Sequence, residues 1–184
     1  KERGGLMGYV TPDRYPWEFE KASYDTPVGQ LSEVINSGVG YHIVRPEKRT
    51  PAQGEVNASH ILMLTRGLSD EDAARQKVRI DSIYNAIEAG ADFAELASRL
   101  SQDPGSARQG GNLGWFGRGA MVAEFDSVSF ALADGEISKP FATSFGYHIV
   151  KRNGHRGVEP LDDSMRKKIL NKMQGDSRGT QPAE

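Results

Sequence analysis

Gly146-Tyr147-His148-Ile149-Val150 repeats, residue for residue, the earlier run Gly40-Tyr41-His42-Ile43-Val44, at an offset of 106 positions. The same offset lays Gly4-Gly5-Leu6-Met7-Gly8-Tyr9 on Gly110-Gly111-Asn112-Leu113-Gly114-Trp115. It also pairs Glu18-Phe19 with Glu124-Phe125, Ser23 with Ser129, Gly29 with Gly135 and Ser32 with Ser138. Between Gly4 and Val44, 13 of 41 positions are identical without a gap, where ordinary residue frequencies give about two or three. The chain therefore contains a duplicated domain.

The duplication is lopsided. Residues 55–109 have no counterpart after Lys1, so the first copy is represented by its second half. Residues 1–50 are expected to form that half-domain and run into a linker marked by Pro46 and Pro51, which closes over 51–54. Residues 55–154 form the complete copy and 155–184 a tail. In the tail, Asp162 or Asp163 caps a helix over Ser164–Leu170 that Gly175 ends. A chain that starts at Lys1 rather than Met is expected to be an excised piece.

The 184 residues carry 23 basic and 25 acidic side chains, a formal charge of -2. No basic excess is present to hold a phosphate backbone or an anionic membrane. The absence of cysteine excludes disulfides, thiolate metal sites and a Cys nucleophile. Four histidines remain as the scarce chemistry: His42, His60, His148 and His155.

Within the complete copy, Val56–Thr65 is apolar and β-branched enough for a strand with His60 at its middle. Ser69 caps a helix whose first turn, Asp70-Glu71-Asp72, suits the helix dipole. Ile80, Ile83, Tyr84 and Ile87 recur at helical spacing, and Gly90 ends the run. Asp92 with Glu95 opens a second helix through Leu100. After a broken loop over 101–111 come a short strand at Leu113–Phe116 and a helix over Val122–Leu132. Strands follow at Ile137–Thr143 and Tyr147–Lys151. Four short strands with helices around them predict an α+β domain.

Read by themselves, His60 and His148 are core histidines satisfied by hydrogen bonds, and Leu113, Met121 and Phe125 are packing. Asp103, ahead of Pro104-Gly105, is a turn former. Four segments taken together change the reading: His60-Ile61-Leu62, Ser101-Gln102-Asp103-Pro104-Gly105-Ser106-Ala107, Gly110–Trp115, and Phe145-Gly146-Tyr147-His148-Ile149-Val150. In this order over residues 55–152 they resemble parvulin-type (PpiC) peptidyl-prolyl cis-trans isomerases, and residues 4–44 resemble the second half of another such domain. Tandem parvulin domains of this kind are similar to SurA-like bacterial foldases and chaperones.

The resemblance implies a four-stranded antiparallel sheet surrounded by helices. It implies catalytic roles for His60, Asp103, Thr143 and His148, and a cup for the proline ring at Leu113, Met121 and Phe125 with Phe145 beside them. No cofactor and no metal are implied. The expected partners are unfolded or extended proline-containing polypeptides, with no nucleic acid, in the periplasm or cell envelope of a bacterium. Family members that read phosphoserine or phosphothreonine carry a basic cluster after the first strand. Here Arg66-Gly67-Leu68 runs into Asp70-Glu71-Asp72, so unmodified X–Pro segments are expected. The alternative is a non-catalytic chaperone module holding extended apolar segments in the same cleft. The first copy keeps His42 and Phe19 but has Met7, Tyr15 and Ser37 where the second has Leu113, Met121 and Thr143. It cannot hold a complete site, and its open strands are expected to pack on the complete copy or to self-associate with another molecule.

Overall fold

The computed structural model describes residues 4–12, 14–158, 167 and 171. The expected tail helix, apart from Lys167, lies outside the described residues. Two compact units divide the chain, one built on Val10–Gln53 and the other on Gly54–Arg156 together with the residues up to Tyr9.

In the first unit, α1 (Trp17–Asp25) starts after Pro16, whose φ of -52 suits entry into a helix. It buries Phe19 and Glu20. The Glu20 carboxylate turns back to accept from the backbone N–H of Arg14 and of Tyr15, at 2.7 and 3.0 Å, and so satisfies the loop leading into the helix. Strands β1 (Ile35–Asn36) and β2 (Tyr41–His42) form an antiparallel hairpin pairing Ile35 with His42.

The second unit is threaded by β3 (Glu55–Leu64), buried on both faces from Ala58 to Met63. Then come α2 (Asp70–Glu88), α3 (Phe93–Leu100), β4 (Asn112–Gly117), α4 (Ala123–Ala131), β5 (Phe141–Ala142) and β6 (Gly146–Arg156). The caps are those the sequence predicts: Ser69 Oγ accepts from Asp72 N at 3.2 Å and Asp92 Oδ1 from Glu95 N at 2.7 Å. The sheet is antiparallel in the order β4-β3-β6-β5. Side-chain alternation splits it into two faces. Ile61, Met63 and Ile149 pack with Ile80, Ile83, Ile87, Phe93 and Ala97 of α2 and α3. Val56, Ala58 and Val150 pack on the other face with Phe116, Phe125 and Leu132. His60 and His148, in phase with this second set, stand on the α4 face. Each fully buried Ile or Phe contributes about 1.5–3 kcal/mol relative to exposure, so the sheet is held from both sides.

The repeat extends to individual hydrogen bonds. Ser32 N–H to Val44 O, at 2.9 Å, recurs as Ser138 to Val150 at 2.7 Å. Gly29 to Pro46 recurs as Gly135 to Arg152, both at 2.7 Å, and Ser37 to Gly40 as Thr143 to Gly146, at 3.0 and 2.8 Å. The half-repeat therefore adopts the same local fold as residues 123–152.

Three expectations change. The strand expected over Ile137–Thr143 narrows to Phe141–Ala142 with an isolated bridge from Ile137 to Lys151. Pro140 between them has no N–H to give the ladder. Strand β6 runs past Gly154 to Arg156, because Glu55, Val56 and Asn57 continue to pair with it beyond a bulge at Asn57/Ala58. His155, expected in a tail, is an exposed strand residue opposite Val56. Finally, Gly4–Tyr9 belongs by the repeat to the first copy but lies in the compact unit of the second. There the Arg118 guanidinium sits between the rings of Tyr9, at 4.6 Å, and Phe130, at 4.2 Å.

Candidate active site

Strand β4 pairs with β3 only as far as Ser59. Beyond that point the loop over 101–111 takes over the same edge. Gly111 O accepts from His60 N at 2.9 Å, Gln102 N donates to Leu62 O at 2.8 Å, and Leu62 N donates to Ser101 Oγ at 3.1 Å. The loop is thus laced along the central strand, and its carboxylate arrives beside the strand's histidine. Asp103 Oδ2 lies 2.8 Å from His60 Nε2. On the other side of β3, His148 on β6 brings its Nδ1 to within 3.3 Å of His60 Nδ1. His148 Nε2 lies 2.8 Å from Thr143 Oγ1, at the end of β5, and Phe145 N–H donates to the same hydroxyl at 3.1 Å. Asp103, His60, His148 and Thr143, up to 88 positions apart in the sequence, form one chain of hydrogen bonds.

Burial and hydrogen bonds shift two of its groups. Burial alone would raise the Asp103 carboxyl. The hydrogen bonds from Ser106, His60 and the Gly105 N–H outweigh it and hold the group below the ordinary carboxylate range. For His148, burial and the neighbouring His60 lower the pKa from the ordinary 6.5 to about 4, against a weaker opposing pull from Asp103. An ionised Asp103 only accepts, so His60 Nε2 carries a proton. With both rings neutral, His60 accepts at Nδ1, His148 donates from Nδ1, and its bare Nε2 accepts the Thr143 hydroxyl proton. In that arrangement every bond runs toward the carboxylate.

Apolar rings cover this chain. Phe125, 3% exposed, meets both imidazoles edge to face, with centroids 5.6 Å from His60 and 5.4 Å from His148. Leu113 and Met121 are partly buried against the same apolar cluster. Phe145 joins through its backbone, its carbonyl accepting from Thr65 N at 3.0 Å, while its ring is 42% exposed. Two participants escape the sequence reading. Phe141 stacks on His148 at 5.6 Å and 23°. Ser106, 2% exposed, donates to Asp103 Oδ2 at 2.5 Å. Ser106 lies in one of the quoted segments and Phe141 in the strand expected over Ile137–Thr143, but nothing in the sequence says which side chain either one meets. Among the described residues no three His, Asp or Glu side chains gather where a metal ion could be held.

Half of this arrangement recurs in the first unit. Ser37 Oγ lies 2.7 Å from His42 Nε2, and Phe19 meets His42 edge to face at 5.4 Å, with Tyr15 5.3 Å from Phe19.

An antiparallel sheet with helices on both faces and two histidines on its central strands is the arrangement that the parvulin resemblance implies. The family model described as the PPIC-type PPIASE domain matches residues 45–156, and another of the same description matches residues 1–48. The chain belongs to the PpiC-type peptidyl-prolyl isomerase family. It is 38% identical over 173 residues to the chaperone SurA of Alkalilimnicola ehrlichii, covering 90% of this chain and 39% of that one. It is 41% identical over 155 residues to the chaperone SurA of Albidiferax ferrireducens, covering 80% and 33%. This chain thus spans well under half the length of these curated relatives. The crystal structure of the peptidylprolyl isomerase PrsA from Bacillus anthracis is similar with a TM-score of 0.50 and 37% identity, over 67% of this chain and 54% of that one.

Proposed function

We propose that residues 55–154 catalyse cis-trans isomerisation of unphosphorylated X–Pro bonds in unfolded or maturing polypeptides, with residues 1–50 and 155–184 outside the catalytic unit. The observation that carries this reading is the hydrogen-bond chain from Thr143 to Asp103 lying directly beneath the Phe125 ring. Rotation about X–Pro meets a barrier of about 18–20 kcal/mol because resonance gives the C–N bond double-bond character. No bond breaks. The domain needs only to hold the ring and favour the twisted amide, which carries less charge separation than the planar one.

Leu113, Met121 and Phe125 take the proline ring and exclude water, and exposed Phe145 meets the flanking chain. Asp103, His60, His148 and Thr143 form a floor whose negative end lies at Asp103. A carboxylate near the turning carbonyl disfavours its planar, polarised form. The segment after β3 supports unmodified substrates: its short loop runs into the acidic first turn of α2, where Glu71 and Asp72 engage Arg75 at 2.6 and 3.1 Å, and a phosphate would need cations instead.

The relatives' chaperone names support polypeptide clients, and we place the parent protein in the bacterial periplasm on the same ground. The half-repeat favours a second, coexisting role in holding extended apolar segments or a second copy. Leu31, Val39 and Tyr41 are 70, 82 and 78% exposed, although Tyr41's counterpart Tyr147 is packed against the core of the complete copy.

Exchange of a proline peptide followed by NMR tests the catalytic role. Asp103→Ala is expected to lower the exchange rate while suppression of client aggregation persists. An exchange rate equal to buffer at high concentration of the parent chain removes the enzymatic reading. Loss of both activities in Asp103→Ala assigns them to one cleft.

A further inference from the structure

Ser106 is buried in the loop that brings Asp103 to the site, and it acts there through both its backbone and its side chain. Its carbonyl accepts from Gly111 N at 2.9 Å, and Gly111 O accepts from His60 N at 2.9 Å. Its hydroxyl donates to Asp103 Oδ2 at 2.5 Å, and the same oxygen accepts from His60 Nε2 at 2.8 Å. The four bonds close a ring from the backbone of His60, through Gly111, Ser106 and Asp103, back to the His60 side chain. The second carboxylate oxygen is taken by Gly105 N–H at 3.1 Å. Inside this ring the carboxylate has one rotamer that serves all its donors, and that rotamer presents Oδ2 to the histidine.

We infer that Ser106 is a positioning residue of the isomerase site, orienting Asp103 and thereby selecting the histidine tautomers that make every hydrogen bond run from Thr143 toward the carboxylate. The inference rests on the isomerase reading for its consequence in catalysis but not for its consequence in structure. Removing the hydroxyl leaves Asp103 Oδ2 with one donor instead of two and frees the carboxylate to rotate toward solvent, where its side chain is already 23% exposed. His60 Nε2 then loses its fixed acceptor. With it goes the reason for His60 to accept, and His148 to donate, at the paired Nδ1 atoms. The groups that face Asp103 are His60 from β3, with His148 of β6 behind it, and Ser106 and the Gly105 N–H from its own loop.

The test uses the full 184-residue chain with Ser106→Ala and Ser106→Cys, the latter keeping the volume but only a weak donor. Two readings are taken: 15N shifts of the imidazole nitrogens, and the pH profile of kcat/KM for proline-peptide exchange. In the parent, His60 is expected to be protonated at Nε2 and His148 at Nδ1. Both variants are expected to show mixed tautomers, a fall in kcat/KM of about tenfold or more with KM little changed, and an acid limb moved to higher pH. A folded variant with parental tautomers and an unmoved acid limb overturns the assignment. Should the parent show no isomerase activity, the functional reading fails and the 15N shifts alone decide the role of Ser106. Should Ser106→Ala not fold, Ser106→Cys decides it by the same criteria.

Discussion

His60 and His148 meet through like atoms, Nδ1 to Nδ1 at 3.3 Å, so one nitrogen carries a proton and the other must be bare. Two protonated rings would place N–H against N–H. The pair is therefore compatible with burial only while at least one ring stays neutral, and burial assigns that role to His148.

Acid should destabilise the domain for this reason before it protonates Asp103. The pKa of His148 is depressed in the folded state, from 6.5 to about 4, so between these values the unfolded chain binds a proton that the native one refuses. Its contribution to stability is complete above pH 6.5 and declines as pH falls toward 4, by about 3 kcal/mol in total. Asp103, also depressed, adds its loss only below the ordinary carboxylate value of 3.8. Urea unfolding at about pH 7.5 and pH 4.5 measures the difference. His148→Gln should be less stable at neutral pH and nearly flat between the two, and a parent protein equally stable at both would remove the account.

Phe125 should prove costly for both stability and activity. Its ring meets both histidines and also lies 6.3 Å from Phe116 and 6.1 Å from Phe141. Phe125→Ala is expected to lose about 3–5 kcal/mol, from lost burial plus the cavity left behind. Phe125→Leu should retain most of the stability, yet bind proline peptides more weakly, because the flat wall of the cup is gone. Denaturant midpoints and peptide titrations read the two effects separately. Unchanged peptide affinity in a folded Phe125→Leu would show that the ring is core rather than cup.

What the sequence disclosed follows from how local each cause is. Ser69 and Asp92 announce α2 and α3 because a cap acts within four residues, and the duplicated segments announce a repeated half-fold because identity survives at a fixed offset. The end of β6 was hidden, since Gly154-His155-Arg156 is strand only because Glu55–Asn57 lies beside it. Pro140 did carry a signal, the missing donor that cuts the strand expected over Ile137–Thr143. At the site, His60, Asp103 and His148 stand in the segments that carry the resemblance and Thr143 follows from it, while the Nδ1 to Nδ1 meeting and the Ser106 clamp depend on registers and rotamers that no single segment encodes.

Thr143 offers a test drawn from the repeat. Ser37 holds His42 Nε2 at 2.7 Å where Thr143 holds His148 at 2.8 Å, so the hydroxyl rather than the methyl is the common element. Thr143→Ser is expected to change stability and exchange rate by no more than about threefold. Thr143→Val keeps the shape but leaves His148 Nε2 without its donor and Phe145 N–H without its acceptor, a loss of about 1–3 kcal/mol. Equal behaviour of the two variants, by urea unfolding and peptide exchange, would count against the directed chain.

Gly111 and Gly5 occupy the same place in the two copies, with φ of +80 and +84, yet they should respond differently to alanine. Both changes carry the penalty of a left-handed residue with a Cβ, about 1–2 kcal/mol. At Gly5 a Cβ meets nothing within 4 Å. At Gly111 it would lie 2.2 Å from His60 O, a backbone atom of the central strand that cannot move without the sheet. Gly111→Ala must therefore push the loop off β3, breaking the bond from His60 N to Gly111 O and carrying Ser106 and Asp103 away from the histidine. The expected loss exceeds about 3 kcal/mol, with activity abolished in whatever remains folded, against about 1 kcal/mol for Gly5→Ala. Similar urea midpoints for the two variants would mean that the loop is not held against β3 as described, and that the carboxylate reaches His60 by some other support.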